Sequence, residues 1–81
     1  MSIMKFILTK SNSANHKMVN LANVADIFVS DNYLMLLMND GREERFAYGS
    51  NEEMTALFNV IAEFIEGEGR LLNCDKYMPT R

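Results

Sequence analysis

Residues 33–48 read YLMLLMNDGREERFAY, and this stretch determines how the rest of the 81-residue chain is organised. Six apolar or aromatic residues, 33–38, lead into an Asn-Asp-Gly turn at 39–41. Asp-Gly between two strand-like runs is a strong signal for a β-hairpin. The first run shows no alternation of apolar and polar residues, which is typical of a strand that is covered on both faces.

Two registers of this hairpin compete. A two-residue turn at 40–41 pairs Met35 with Phe46. A three-residue loop at 39–41, with a left-handed glycine, pairs Leu34 with Phe46 instead. Because a slip of one residue exchanges the two faces of a strand, the sequence leaves open which residues of the second strand face the core. Both registers place Leu34, Leu36 and Met38 on one side and Tyr33, Met35 and Leu37 on the other.

An amphipathic helix is predicted directly after the hairpin, over residues 51–66. Ser50 and Glu53 have the spacing of a capping box, in which each side chain accepts a hydrogen bond from the other residue's backbone N–H. Gly67 predicts a left-handed cap at the end of the helix. Large apolar residues between them recur at helical spacing and form one stripe. They are Met54, Leu57, Phe58, Ile61, Phe64 and Ile65.

The remaining pattern predicts a small α+β fold. Further strand candidates are residues 3–9, 17–20 and 24–30. We expect one antiparallel sheet of four to five strands, with the helix packed on one face. The sequence favours a single domain over residues 1–73 and a C-terminal tail over 74–81, since Pro79 excludes regular structure near the end.

The apolar run 33–38 needs cover on both faces, but the pattern offers one helix. Either the sheet curls into a partial barrel, or another molecule covers its second face. Because little chain is left over, the sequence favours self-association. The predicted interface residues are Leu34, Leu36, Met38, Tyr33 and Tyr48.

A second hypothesis is an oligomer that captures a small anionic ligand, such as a nucleotide, at a subunit boundary. The polar loop 10–16, KSNSANH, is flanked by lysines whose charge suits an anion. It contains no glycine, so it does not match the phosphate cradle of a P-loop. The candidate ligand-binding residues are Lys10, Asn12, Asn15, His16, Lys17, Arg42 and Arg45.

A third hypothesis follows from the charge distribution. Residues 40–68 carry eight acidic residues against two arginines, whereas residues 1–20 carry three lysines and no acid. An acidic helix face suits a basic protein partner. Its residues are Glu52, Glu63 and Glu66. In size and composition the chain is also similar to inhibitors carried by phages and mobile elements.

Composition argues against several other classes. His16 and Cys74 have no acid or amide placed to orient the histidine, so the sequence predicts no enzyme, metal site or cofactor. A net charge of −3 argues against direct nucleic-acid binding. No apolar run approaches the roughly 20 residues of a membrane span, and no signal-peptide pattern is present. With a single cysteine, these features predict a cytoplasmic protein.

The segment 20–65 resembles the small flagellar protein FlbD family and similar short bacterial domains. The residues that carry the resemblance are Asn20, Val24, Ile27, Leu34, Leu36, Asp40, Gly41, Ser50, Glu52, Glu53 and the apolar helix ending near Ile65. The resemblance implies a small strand-rich sheet with one helix, and a regulatory or structural role without catalysis. It assigns no site residue.

Overall fold

A computed structural model of the chain describes residues 4–10 and 17–77. These residues form six strands, one α-helix and two short 3-10 turns. The strands are β1 (Phe6–Thr9), β2 (Lys17–Asn20), β3 (Val24–Ser30), β4 (Tyr33–Met38), β5 (Glu43–Tyr48) and β6 (Leu71–Asn73); the helix is α1 (Asn51–Glu66), and the 3-10 turns are Leu21–Asn23 and Cys74–Tyr77. The predicted α+β class and helix are confirmed.

The strands divide between two three-stranded sheets. The β1 sheet has the order β2-β1-β6, with β1 antiparallel to β2 and parallel to β6. The β4 sheet has the order β3-β4-β5 and is antiparallel throughout. The expectation of one antiparallel sheet with four to five strands is therefore corrected. The chain returns from α1 to pair with β1, where the Phe6 N–H donates to the Arg70 carbonyl at 2.8 Å.

The β4–β5 hairpin uses both candidate registers, one at each end. Near the turn, Leu36 lies opposite Glu44, as a three-residue loop requires, and the loop glycine has φ of 91°. A register shift between Leu34 and Met35 then moves the pairing by one residue, so that Tyr33 lies opposite Tyr48. This β-bulge turns two consecutive residues of β5 toward the core. They are Phe46 and Ala47, both buried.

The start of α1 is the predicted capping box. The Ser50 Oγ accepts from the Glu53 N–H at 3.1 Å, and the Glu53 Oε1 accepts from the Ser50 N–H at 2.7 Å. Two of the N–H groups that a helix start leaves without intrahelical partners are thereby satisfied. The chain consequently leaves β5 and enters the helix with only Gly49 and Ser50 between them.

The end of α1 differs from the prediction. Gly67 is extended, with φ of −87°, so the left-handed cap is wrong. The ammonium group of Lys5 takes over part of the cap's role, since its Nζ donates to the carbonyls of Phe64 at 3.1 Å, Gly67 at 2.7 Å and Gly69 at 2.7 Å. A cation at this position also complements the negative end of the helix dipole. Lys5 thereby ties the segment before β1 to the end of α1.

A single core lies between α1, β4 and the β1 sheet. Met54, Leu57 and Ile61 of the helix are fully buried in it. Three residues that the sequence assigned to an oligomer interface lie in this core, because they point from β4 toward the helix. They are Leu34, Leu36 and Met38, with exposed fractions of 0%, 0% and 8%. We therefore assign them to the chain's own packing.

The segment 74–77 also differs from the prediction, which placed it in a tail. Cys74 is fully buried and belongs to the core cluster. The carboxylate of Asp75 accepts from the buried Thr9 hydroxyl at 2.9 Å and from the Lys10 N–H at 3.0 Å. Cys74–Tyr77 therefore packs against β1 as part of the fold, since these bonds satisfy polar groups at the end of that strand.

Candidate interaction surfaces

One face of the β4 sheet points away from α1, and we call it the outer face. Cross-strand partners point to the same side of a sheet. Phe28 is paired with Met35, and Met35 with Arg45, so these three lie together on the outer face. The residues of this face that are only partly buried are Phe28, Tyr33, Met35 and Leu37. None of them belongs to the core cluster or packs against it.

Tyr33 and Tyr48, both predicted as interface residues, lie at one end of the outer face. Their ring centroids are 6.4 Å apart and the rings are tilted by 59°. The Arg45 guanidinium lies over the Tyr33 ring, with Cζ 4.8 Å from the centroid, which is a cation–π distance. Tyr48 remains 45% exposed. This end of the face thus offers aromatic surface beside a fixed positive charge.

The outer face carries one charge of each sign on β5. Glu43 lies opposite Leu37 and Arg45 opposite Met35, and both charged side chains are exposed. Among residues 4–10 and 17–77, the ion pairs involve Arg42 instead. Glu43 and Arg45 are therefore exposed charges beside the apolar residues of the outer face.

A groove between α1 and β3 is a surface that the sequence did not indicate. We call it the helix groove; it has a volume of about 300 Å³. Its lining residues are Leu21, Val24, Ala25, Asp26, Ile27, Phe58, Ile61, Ala62 and Ile65. Phe58 and Ile65 were predicted in the buried stripe but are 36% and 46% exposed. The predicted stripe spans about 120° around the helix, and Phe58 and Ile65 lie on the side of it that lines the groove.

The predicted ligand-binding residues do not form one site in the described part of the chain. Lys17 Nζ donates to the Arg45 carbonyl at 2.9 Å, which joins β2 to β5. Arg42 lies at the hairpin turn, where it pairs with Asp40. Lys10 is exposed beside the Asp75 carboxylate. Three further candidates, Asn12, Asn15 and His16, lie outside the described residues.

A small cavity does adjoin two of these candidates. Leu8, Lys10, Lys17 and Met18 line a space of about 130 Å³. Pockets for drug-sized ligands usually measure about 300–1,000 Å³. The cavity is too small to enclose a nucleotide, and the nearby Asp75 carboxylate opposes an anion. The predicted site lies at a subunit boundary and includes Asn12, Asn15 and His16, which are outside the described residues, so capture of an anion stays a prediction.

The charges at the hairpin turn are locally neutralised. The Arg42 backbone N–H donates to Asp40 Oδ1, and its guanidinium donates to Asp40 Oδ2 at 2.8 Å. These bonds lower the pKa of Asp40, the backbone bond most. The bond to Asp40 in turn raises the pKa of Arg42. The side chains of Arg42 and Asp40 are 63% and 57% exposed, so the pair orders the turn without forming an enclosed site.

Cys74 has the environment of a structural thiol. Burial, and to a lesser degree the adjacent Asp75 carboxylate, raises its pKa from the ordinary 9.0 to about 12. The thiolate is the reactive form of cysteine, and here it is suppressed at neutral pH. Among the described residues, no three His, Cys, Asp or Glu side chains converge as they would around a metal ion.

We expect the native Cys74 thiol to react with Ellman's reagent only as fast as the chain opens. Folding raises the pKa of Cys74, so the folded chain favours the protonated thiol. The contribution of this thiol to the free energy of unfolding is therefore fully present below pH 9 and is lost as the pH rises toward 12. The measurement is the free energy of unfolding against pH, with Cys74→Ala as the control. Above pH 9, the free energy of unfolding should depend on pH more steeply in the wild type than in the Cys74→Ala chain. An equal dependence in the two chains, or rapid labelling of Cys74 in the folded protein, would contradict this assignment.

The only helix of the described residues is α1, and it lacks the length and apolar character needed to cross a membrane. Comparison of the chain with family models, curated proteins and solved structures gives no match. The resemblance to the FlbD family is thus a prediction that these comparisons leave untested.

Proposed function

We propose that this chain is a non-enzymatic, cytoplasmic protein-interaction module that forms a homodimer through its outer face. The observation that carries the proposal is the partly exposed apolar cluster of Phe28, Tyr33, Met35 and Leu37, opposite the face that α1 covers. A contiguous apolar surface on a small protein commonly marks an interaction site. The burial of Cys74 argues against the use of this thiol as a nucleophile.

The charges of the outer face favour a second copy as the partner. A two-fold dimer places the same surface on both subunits, so each group must meet its complement on the other copy. Glu43 and Arg45 alternate along β5 on this face. A two-fold axis passing between them would bring each Arg45 to the Glu43 of the other copy. Glu43 and Arg45 are therefore complementary to the same pair on a second copy, while Asp26, opposite Leu37, adds one further acid to this face.

The size of the face predicts the strength of the dimer. Three strands of six or seven residues present about 14 by 20 Å, from ordinary strand spacing and rise. Stable interfaces usually bury about 800 Å² on each partner. The outer face is smaller than that standard, so we expect dissociation in the micromolar range or weaker. Sedimentation equilibrium from about 1 μM to about 500 μM covers that range.

The decisive experiment is a charge exchange on β5. Arg45→Glu places two like charges against each other and should yield a monomer at every concentration. The double variant E43R/R45E restores opposite charges across the two-fold axis and should dimerise again. Both positions are exposed, so folding measured by circular dichroism should be unchanged.

Met35→Lys is an independent test of the apolar centre, since a lysine there would be desolvated on association. It should also yield a monomer. A wild-type chain that stays monomeric at about 500 μM, or an E43R/R45E variant that does not regain association, would overturn the proposed dimer. Nucleotide capture and direct inhibition of another protein stay alternative hypotheses.

A further inference from the structure

The helix groove lies on the other side of the β4 sheet from the outer face and is open at its edge. Within the described residues β3 is an edge strand, because the sheet order is β3-β4-β5. Helix α1 packs over β3 and β4. The groove runs where the helix overhangs this edge, with Ala25 and Ile27 on the strand side and Phe58 and Ile65 on the helix side.

The apolar side chains of the groove are spaced for a helical partner. Phe58 and Ile65 are separated by seven residues, or about 10 Å along the helix axis. Ala62 lies between them and is exposed, leaving a shallow gap that a larger side chain can enter. Helices dock into such grooves with apolar residues at i, i+3 or i+4, and i+7. The groove has the length of that repeat.

An added strand is a poorer fit to the same edge. The pairing of β3 with β4 shifts register between Val24 and Asp26, which twists the strand next to the groove. The Ile27 N–H there donates to Asp26 Oδ1 at 3.0 Å, so that amide already has an acceptor. Bulges and charged side chains at an edge are a common protection against strand addition. The edge therefore favours side-chain docking over backbone pairing.

Charge identifies the kind of helix that fits. Strand β3 and helix α1 carry no Lys, Arg or His. Their carboxylates are Asp26, Glu52, Glu53, Glu63 and Glu66. Asp26 reaches the groove at the bulged edge of β3, although its cross-strand partner Leu37 lies on the outer face, and Glu66 follows Ile65 at the end of the helix. A second copy of the same groove would bring acid against acid, which opposes groove-to-groove pairing.

We propose that the helix groove binds a basic amphipathic helix of another protein. Apolar residues of that helix would enter beside Phe58, Ala62 and Ile65. Its lysines or arginines would meet Asp26 and Glu66. The groove and the outer face adjoin at Asp26 on the β3 edge, but the inference goes beyond the proposed dimer and does not depend on it.

The test uses a fluorescein-labelled, terminally blocked 18-residue peptide of Leu, Lys and Ala, with leucines at i, i+4 and i+7 and lysines flanking them. The comparison peptide has every lysine replaced by glutamate. Binding is followed by fluorescence anisotropy, and the site is mapped by amide chemical-shift changes in the labelled protein. We expect the basic peptide to bind in the micromolar range and the acidic peptide not to bind.

Two alanines on α1 provide matched variants. Ala62 lines the groove, whereas Ala56 is exposed elsewhere on the same helix. Ala62→Lys places a long cationic side chain in the groove and should weaken binding at least tenfold. Ala56→Lys changes the net charge equally and should weaken it less than threefold.

If the two variants weaken peptide binding equally, the peptide is attracted only to the overall negative charge of the protein. That result would overturn the assignment of the peptide to the groove. Shift changes centred on the outer face, or no binding at about 1 mM peptide, would overturn it as well. Both variants keep the core residues intact. Their circular dichroism spectra should therefore match the wild type, and peptide binding reports on the groove.

Discussion

Leu36→Ala is expected to lower the free energy of unfolding by about 2–5 kcal/mol, the usual range for a fully buried leucine. Leu36 is 0% exposed between β4 and α1. A domain of this length has a total stability of about 4–12 kcal/mol. The substitution therefore removes a large part of the total stability of the domain. Urea unfolding at low protein concentration measures the loss without a contribution from association.

Leu37→Ala is the matched control, because Leu37 is the next residue of β4 and lies on the outer face. Its truncation should cost about 1 kcal/mol or less in the monomer. It should instead weaken association at high concentration. Equal destabilisation by both variants would contradict the assignment of the two faces. A Leu36→Ala chain that unfolds like the wild type but no longer associates would restore Leu36 to the interface.

Lys5→Met is expected to lower the free energy of unfolding by about 2 kcal/mol, through loss of charged hydrogen bonds to three carbonyls. The Lys5 Nζ also lies 4.9 Å from the centroid of the Phe64 ring, and methionine keeps the apolar length of the side chain but loses this cation–π contact as well. Part of this site is exposed, and water replaces some of the lost bonds. The expected value is therefore near the energy of one charged hydrogen bond, although three are present.

Lys10→Met is the control for this prediction. Lys10 is exposed, and its described hydrogen bonds to Asp75 come from its backbone N–H, which the substitution keeps. The free energy of unfolding of the Lys10→Met chain should differ from that of the wild type by less than about 0.5 kcal/mol. Amide hydrogen exchange should rise in the last turn of α1 in the Lys5 variant alone. A similar loss of stability in the Lys5→Met and Lys10→Met chains would indicate a general effect of removing a positive charge, and it would contradict capping of the helix by Lys5.

Elements encoded by neighbouring residues were predictable from the sequence. Helix α1 has its predicted bounds, because its capping box and apolar spacing are local signals. Strands β3 and β4 likewise run over the predicted residues, since turn residues bound both of them. The turn between them is Asp31-Asn32, where both residues have positive φ, as the two-residue turn of a hairpin requires.

Features that depend on distant parts of the chain were not predictable. Each hairpin register was locally acceptable, and the bulge that combines them turns both Phe46 and Ala47 inward. Lys5 and the Phe64 carbonyl are 59 positions apart, and no local pattern links them. The surfaces follow the same division. Tyr33 and Tyr48 lie together on one face, a pairing that only one of the two registers gives, whereas the helix groove requires knowledge of where β3 ends the sheet.

The parallel pairing of β1 with β6 has a consequence for synthesis on the ribosome. Phe6 lies opposite Leu71, so the two strands are joined by most of the described chain. Closing so long a loop is entropically costly and comes after local contacts have formed. The β4–β5 hairpin and α1 can fold while the chain is still emerging. Strand β1 can pair with β2 earlier, but the edge that β6 covers stays unpaired until residues 71–73 are available.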